Sequence, residues 1–376
     1  MSPEFLEGFV GLAVLLRSSH LFLATRLTAR CVQLRIALRS ERDTHATTIH
    51  PAGSGTGGLV FRYMPLPVGY AFRAPTRGDL DAVAGVLIAD DLDDAGEIVL
   101  DADFLLTWWN RPGFDLATDA WVVVDDADAI VAYGQVMRDE PSIVGSWGIV
   151  HPAQRGRGLG PPLLDRIEQR ADHLLTDVPD PRFRHSVNAG DRAAASMLRL
   201  RGLHPVRHFW HMGIDLTGRV DLGRPPEGIE IGGIDARTDL PAMHGALAEA
   251  FAEDWGYHPD PFDRWAEDYA SGPNYDPTLW LIARDGQATV GALTANVSGS
   301  HGWVGEIGVL ATHRGRGIAG ALLRRSFATF ATRGVGRVML NVDAENPTGA
   351  TALYEREGMR IIKRWDLWER SSNDVS

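Results

Sequence analysis

Cysteine is nearly absent. Cys31 stands alone in 376 residues, so neither an intrachain disulfide nor a thiolate metal site can form. Lysine is as scarce: Lys363 is the only one among 37 basic residues, a bias we read as codon usage rather than function. Long apolar runs are missing too. Phe9 to Leu16 is the longest early one, well short of the ~20 residues that span a bilayer, and no basic segment precedes it as in a secretory signal. Positive charge is in deficit, with 37 Lys and Arg against 49 Asp and Glu and a net charge of −12. That balance excludes the basic face of a nucleic-acid binder and is compatible with an enzyme acting on a cationic amine. No Ser-His-Asp set emerges, and the 13 histidines show no ligand-like spacing on a helix. The expectation is a cytoplasmic protein that uses no metal and binds neither nucleic acid nor membrane.

What is present is glycine in a particular setting. The length and the 44% hydrophobic content suffice for two ordinary cores. Gly305 to Leu323 reads GEIGVLATHRGRGIAGALL: an apolar strand, an Arg/Gly turn, then a helix with Leu323, Phe327 and Phe330 on one face. Strand, glycine loop and helix N-terminus together aim backbone N–H groups at one point and favour an anion there. Gly315, Gly317 and Gly320 clear side chains from the loop, while Arg314 and Arg316 add forked donors. The stretch recurs upstream as His151 to Gly160, with Arg155, Gly158 and Gly160 at the positions of Arg314, Gly317 and Ala319. A repeat of about 160 residues is too long for a solenoid and indicates duplicated domains.

Around these loops the chain divides. Residues 1–63 carry seven Arg against four acids, a net of +3, leaving −15 for the remainder; a Gly/Ser/Thr tract ends them. They read as an extension upstream of Met64 that does not conform to either repeat and is disordered, or alternatively as a basic amphipathic arm. The first repeat occupies 64–216 and the second 229–370, with a linker at 217–228 and a tail at 371–376. Within the first, Ile143 to Val150 is the strand before the loop, and Pro161 and Pro162 fall in the first turn of the following helix. His208 to Asp215 closes that half. Within the second, Leu279 to Arg284 and Gln287 to Thr294 form a hairpin across Asp285-Gly286. Val338 to Val342 is a strand, Thr348 to Glu357 a helix, and Met359 to Trp368 closes the sheet.

The loop spacing, and the segment Asn346 to Met359 (NPTGATALYEREGM), resemble the pyrophosphate loop and the N-x-x-A-x-x-L-Y-E-x-x-G-F segment of the GCN5-related N-acetyltransferases, with Met359 in place of Phe. The tandem arrangement is similar to that of family members with two such domains side by side. The resemblance implies an α+β (α/β/α) fold: two tandem domains, each a mixed, mostly antiparallel sheet flanked by helices, the pair forming a pseudo-dimer. It implies acetyl-CoA as cosubstrate, lying where the central strand and the next splay at a bulge. The pantetheine arm would pair with Ile307, Gly308 and Val309. The pyrophosphate would rest on Arg314, Gly315, Arg316, Gly317, Ile318, Ala319 and Gly320. Asn346 would touch the cofactor arm and Tyr354 would face the thioester sulfur.

By counting, Leu198 stands where Tyr354 does and Trp147 where Glu306 does, so the first half lacks both candidate acid and candidate base. The chemistry is therefore expected in the second half, as acetyl transfer to a primary amine of a small molecule. Glu306 would help remove the amine proton, a backbone N–H near Val309 would stabilise the oxyanion, and Tyr354 would protonate the leaving thiolate. Glu306 as a solvent-facing strand residue and Tyr354 as a packing residue are the plainer alternatives. Glu253, Asp254 and Asp263 could hold an ammonium or simply be a solvated acidic stretch. The competing class is a non-catalytic acyl-CoA-binding or regulatory module.

Overall fold

The computed structural model describes residues 64–218, 221–270 and 274–371. The expectations placed on residues 1–63 and on 372–376 of the tail lie outside the described residues.

Twelve strands join in one sheet, in the order β1-β2-β3-β4-β5-β12-β6-β11-β10-β9-β8-β7. In the first half β1 (Tyr70–Arg73) is followed by α1 (Leu80–Asp94), α2 (Ala102–Trp109) and the short α3 (Leu116–Asp119). Then come β2 (Ala120–Asp125), β3 (Ile130–Glu140), β4 (Ile143–Val150), α4 (Gly160–Leu174), β5 (Arg182–Asn188), α5 (Arg192–Leu200) and β6 (His204–Asp215). The second half runs β7 (Ile229–Gly233), α6 (Leu240–Ala250), α7 (Phe262–Ala270), β8 (Leu281–Asp285), β9 (Ala288–Ser298) and β10 (His301–Val309). It ends with α8 (Ile318–Thr332), β11 (Arg337–Asp343), α9 (Ala350–Arg356) and β12 (Arg360–Ser371). Only β4 with β5 and β10 with β11 pair in parallel. The sheet is thus mixed and mostly antiparallel, with helices on both faces.

Alternation along β3 shows how the faces are filled. Tyr133 packs with Val83, Leu87, Leu105 and Trp109 of α1 and α2. Ala132 packs with Leu163, Ile167 and Leu198 of α4 and α5. Asp101 and Asp191 cap α2 and α5 by accepting the N–H groups of Phe104 and Ala194. In the second half one core gathers Leu247 of α6, Leu322 and Phe327 of α8, and Leu293, Val304 and Leu340 of the sheet.

Two features differ from the sequence expectation. The hairpin turn is Gly286-Gln287, not Asp285-Gly286, because Asp285 still pairs with Ala288. Gly286 has φ +59°, so the glycine occupies the first central position, where positive φ is required. The second difference is larger. β6 pairs with β11, and β12 inserts between β5 and β6. Each half therefore closes the other's sheet rather than its own. Alternation within a strand says nothing about which edge it will meet, so this exchange leaves no mark on the sequence pattern.

Candidate active site

The central strand of the second half carries the local irregularity that shapes the site. Its pairing with β9 shifts between Val304 and Glu306, so Gly305 is a bulge. The consequence shows in two glycines. Gly302 lies against Phe330 of α8, while Gly308 lies against Leu247 and Ala250 of α6 on the opposite face. Six residues along an unbroken strand would return to the same face; the extra residue reverses it. Thr294 fixes the bulge, its buried hydroxyl accepting the Glu306 N–H at 2.8 Å. Pairing of β10 with β11 covers Gly302 to Val304 and stops at the bulge, so the two strands part beyond it. In the first half, β4 holds an unbroken register against β3 from Gly145 to Val150.

At the wide end of that opening lies the glycine loop. A single 3-10 turn, Ala311–His313, leads to Gly315 (φ +77°) and Gly317 (φ +80°), and α8 starts at Ile318. Nothing lies within 4 Å of where a Cβ would sit on Gly315 or Gly317, so the loop faces open space. The N–H groups of Ile318, Ala319 and Gly320 are in the first turn, where an α-helix offers no internal partner. This surface fits a pyrophosphate. The remaining expected binders also make contacts within the chain. The Arg314 guanidinium donates to the carbonyl of Ala250 at 2.9 Å, to that of Val309 at 3.3 Å and to Glu253 at 3.3 Å, locking the loop to the C-terminal end of α6. Arg316 donates to Asp285 and to the carbonyl of Glu227. A side chain at Gly320 would strike Glu357, so that glycine also makes room for the Glu357–Arg324 ion pair.

The first-half loop repeats the backbone course, with Gly156 and Gly158 at φ +76° and +80°. Its chemistry differs. Arg155 is bound to Asp90 at 2.6 Å and Asp93 at 2.5 Å. Pro161, which stands where Gly320 does, removes one of the first-turn N–H donors.

The expected base lies on β10 just past the bulge, and the expected acid is on α9. Tyr354 of α9 is 6% exposed, and its hydroxyl makes no hydrogen bond among the described residues. Burial, with the nearby Asp254 charge, pushes its phenol well above the ordinary range, so the proton stays on the oxygen at neutral pH. The carboxyl of Glu306 accepts from Trp265 Nε1 at 3.2 Å and from the Tyr269 hydroxyl, both on α7. Burial raises its pKa above an ordinary glutamate despite these donors and the nearby His244. Glu306 is therefore held against α7 and not turned to bulk solvent. The side chain of Asn346 donates to Asp254 at 3.3 Å and accepts the Thr348 N–H at 2.9 Å, bracing the turn after β11. Of the three carboxylates considered for an ammonium, Glu253 is exposed and paired with Arg314, and Asp263 is exposed on the first turn of α7. Only Asp254 reaches the Asn346–Tyr354 region. Sequence reasoning missed Thr294, Trp265 and Tyr269; the i, i+4 aromatic pair on α7 was the one signal available.

A cavity of about 1210 Å³ is lined by the first-half glycine loop, by β4 and β5 and by helices from both faces of that half, and extends past His211 and Trp365 to Trp303 and Gly305. Lys363 borders it but is buried between Asp90 and Asp91, at 3.1 and 2.7 Å. No helix among the described residues is long and apolar enough to cross a membrane.

Comparison with known proteins agrees with this geometry. Residues 240–359 match the family model described as the acetyltransferase (GNAT) family. The mycothiol acetyltransferase of Beutenbergia cavernae is 32% identical over 262 residues, covering 64% of this chain and 80% of that one. That of Thermobispora bispora is 31% identical over 229 residues, covering 58% and 72%. A GCN5-related N-acetyltransferase of known structure from Sphaerobacter thermophilus aligns with a TM-score of 0.72 and 34% identity, covering 82% of this chain and 97% of that one. A tandem GNAT protein from the clavulanic acid biosynthesis pathway shares the fold, with a TM-score of 0.60 at 15% identity over 80% of this chain and 98% of that one. The chain belongs to the GCN5-related N-acetyltransferase family and is a tandem N-acetyltransferase.

Proposed function

We propose that this enzyme moves an acetyl group from acetyl-CoA to a primary amine of a small molecule, by direct attack, in the half spanning residues 229–370. The observation that carries the assignment is the Gly305 bulge. It shifts the pairing of β10 with β9, whereas β4 pairs with β3 without a shift at the matching place, although β4 and β5 part after Trp147 as β10 and β11 do after Val304. The halves, 64–216 and 229–370 about a linker at 217–228, would work as a pseudo-dimer in the cytoplasm, with the first half contributing structure.

Acetyl-CoA supplies the activated acyl group; the chain supplies the rest. The free N–H groups after Gly317 and the open loop suit its pyrophosphate. Ile307, Gly308 and Val309 line the parted strand and offer backbone to the pantetheine arm. A backbone N–H near Val309 would stabilise the developing oxyanion. Glu306, whose pKa burial raises above an ordinary glutamate, would take an ammonium proton, and Tyr354 would give one to the leaving thiolate. Asn346, which the resemblance places against the cofactor arm, also donates to Asp254. The name of the relatives, mycothiol acetyltransferase, supports a low-molecular-weight acceptor.

The test is CoA release from acetyl-CoA with a panel of primary amines, followed by loss of that release in Gly317→Glu. No release with any amine would refute the proposal and return the non-catalytic binding module.

A further inference from the structure

One group in the site has no part in the scheme above. Asp254 Oδ1 is fully buried and has no hydrogen-bond partner among the described residues. Its other oxygen accepts from Asn346. An unpaired buried carboxylate oxygen is costly unless something else completes it. Its surroundings are those of the reaction. Asp254 acts electrostatically on Tyr354, and Tyr257 is under the influence of both Asp254 and Glu306. By geometry Asp254 stands beside Asn346 at the turn after β11, with Tyr354 on the helix that follows that turn.

The proton count of acyl transfer gives such a group a place. The acceptor enters as R–NH3⁺ and leaves as R–NH–COCH3, so its nitrogen gives up two protons, one before attack and one as the amide forms. The C–N bond forms as the C–S bond breaks, and the thiolate takes one proton back to become CoA–SH. The balance is one proton released to water. Tyr354 can give the proton that the thiolate takes. Glu306 can accept one from nitrogen. The tyrosinate left behind can take the other, which closes the balance; the proton that leaves before attack goes to the carboxylate that holds the ammonium.

Resting on the acetyl-transfer reading, we infer that Asp254 is the second carboxylate of the site: its unpaired oxygen binds the acceptor ammonium and takes the proton that must leave before attack. Burial raises its pKa, reinforced by the like charges of Asp343 and Glu253 and opposed by Arg314, which makes it a stronger base than an ordinary aspartate. Tyr257 and Tyr354, the other ionisable groups facing it, are both held protonated, and Asn346 is neutral.

The segment carrying Asp254 is fixed in place by its neighbour. The Trp255 indole lies between the guanidinium groups of Arg184 and Arg207, each 4.8 Å from a ring centroid of that indole. Arg184 is on β5 and is itself held by Glu369 of β12 at 2.8 Å; Arg207 is on β6 beside Asp343 at 3.7 Å and Glu345. The first half therefore positions a reacting group of the second, which gives the half without acid or base a reason to be there.

The experiment compares the unaltered enzyme with Asp254→Asn, which keeps an oxygen for Asn346. Two acceptors are used: the best alkylamine of the panel, protonated at neutral pH, and methoxyamine, which is neutral there. Acetyl-CoA affinity and Tm are measured alongside. The expected result is a loss of kcat/KM of about 10² or more with the alkylamine, as for removal of a general base, with acetyl-CoA affinity and Tm unchanged. Methoxyamine, needing no deprotonation before attack, should lose far less. Full retention of alkylamine turnover overturns the inference, as does an equal loss with both acceptors. Weakened acetyl-CoA binding also overturns it, by making Asp254 part of the cofactor cradle. Failure of the unaltered enzyme with every amine refutes the acetyl-transfer reading and this inference with it; failure of Asp254→Asn to behave as stated leaves that reading intact.

Discussion

Replacing the chain's only lysine offers a sharp test of how the halves are joined. Lys363 of β12 is 4% exposed and reaches Asp90 and Asp91 of α1. Lys363→Met keeps the length of the stem but leaves two acids without their cation. Asp90 retains Arg155 and Asn188, whereas Asp91, 0% exposed, retains only the N–H groups of Val99 and Leu100. Breaking one side of a buried pair costs about 3–5 kcal/mol. At about 2.1 cal/mol/K per residue over roughly 300 residues, unfolding entropy is about 0.6 kcal/mol/K, so Tm should fall by about 5–8 °C at neutral pH. The loss should depend on pH. Burial pushes Asp91 above an ordinary aspartate, and this outweighs the pull of Lys363; without the lysine its pKa rises further. A group raised in the folded state contributes stability below its unfolded pKa and loses it as pH rises through the folded value. The gap between variant and unaltered protein should therefore be small near pH 4 and widen as the pH rises. Lys363 itself, pulled down by burial but raised overall by Asp91 and Asp90, stays charged throughout that window. Thermal melts in matched buffers measure both curves. An unchanged Tm at neutral pH, or a loss of equal size at pH 4 and pH 8, would refute the reasoning.

Other outcomes follow from the site. Gly317→Glu should abolish CoA release by placing a carboxylate in the anion site, whereas Gly158→Glu should spare kcat; equal losses of kcat would undo the assignment to the second half. Tyr354→Phe should lower kcat by about 10² to 10⁴ with little change in acetyl-CoA affinity, and wild-type kcat would make the tyrosine a packing residue. Because the Tyr354 phenol is held well above its ordinary range, the alkaline limb of the rate profile should be the same in both enzymes. Thr294→Val leaves the Glu306 N–H unpaired at the bulge, costing about 1–3 kcal/mol and measurable as a lower denaturant midpoint; an unchanged midpoint would deny the threonine that role.

The sequence carried local information well. The strand Ile143–Val150 begins and ends where its apolar run does, and the buried Leu163, Ile167 and Ala171 of α4 were legible from spacing alone. The glycine loops were legible because positive φ leaves few alternatives to glycine. What escaped depends on partners distant in the chain. The type of Arg314 suits a phosphate, but its bonds to Ala250, Val309 and Glu253 could not be read from the sequence. The closeness of Gly320 to Glu357 was equally illegible. The Gly305 bulge depends on a threonine eleven residues earlier on the neighbouring strand. The exchange of β6 and β12 is a choice between edges, which no periodicity encodes.

That exchange also sets an order of events during synthesis. β5 is complete at Asn188, but the strand that pairs with it, β12, begins only at Arg360. At translation rates of about 5–20 residues per second the intervening chain takes roughly ten to thirty seconds to appear. Throughout that interval the nascent first half has an open β5 edge, the kind of surface that recruits unrelated strands. A ribosome stalled or a message truncated before residue 360 would release a chain whose earlier half cannot finish itself. The enzyme's quality thus depends on the dozen residues of β12, and a tag or cleavage there is felt in the half synthesised first.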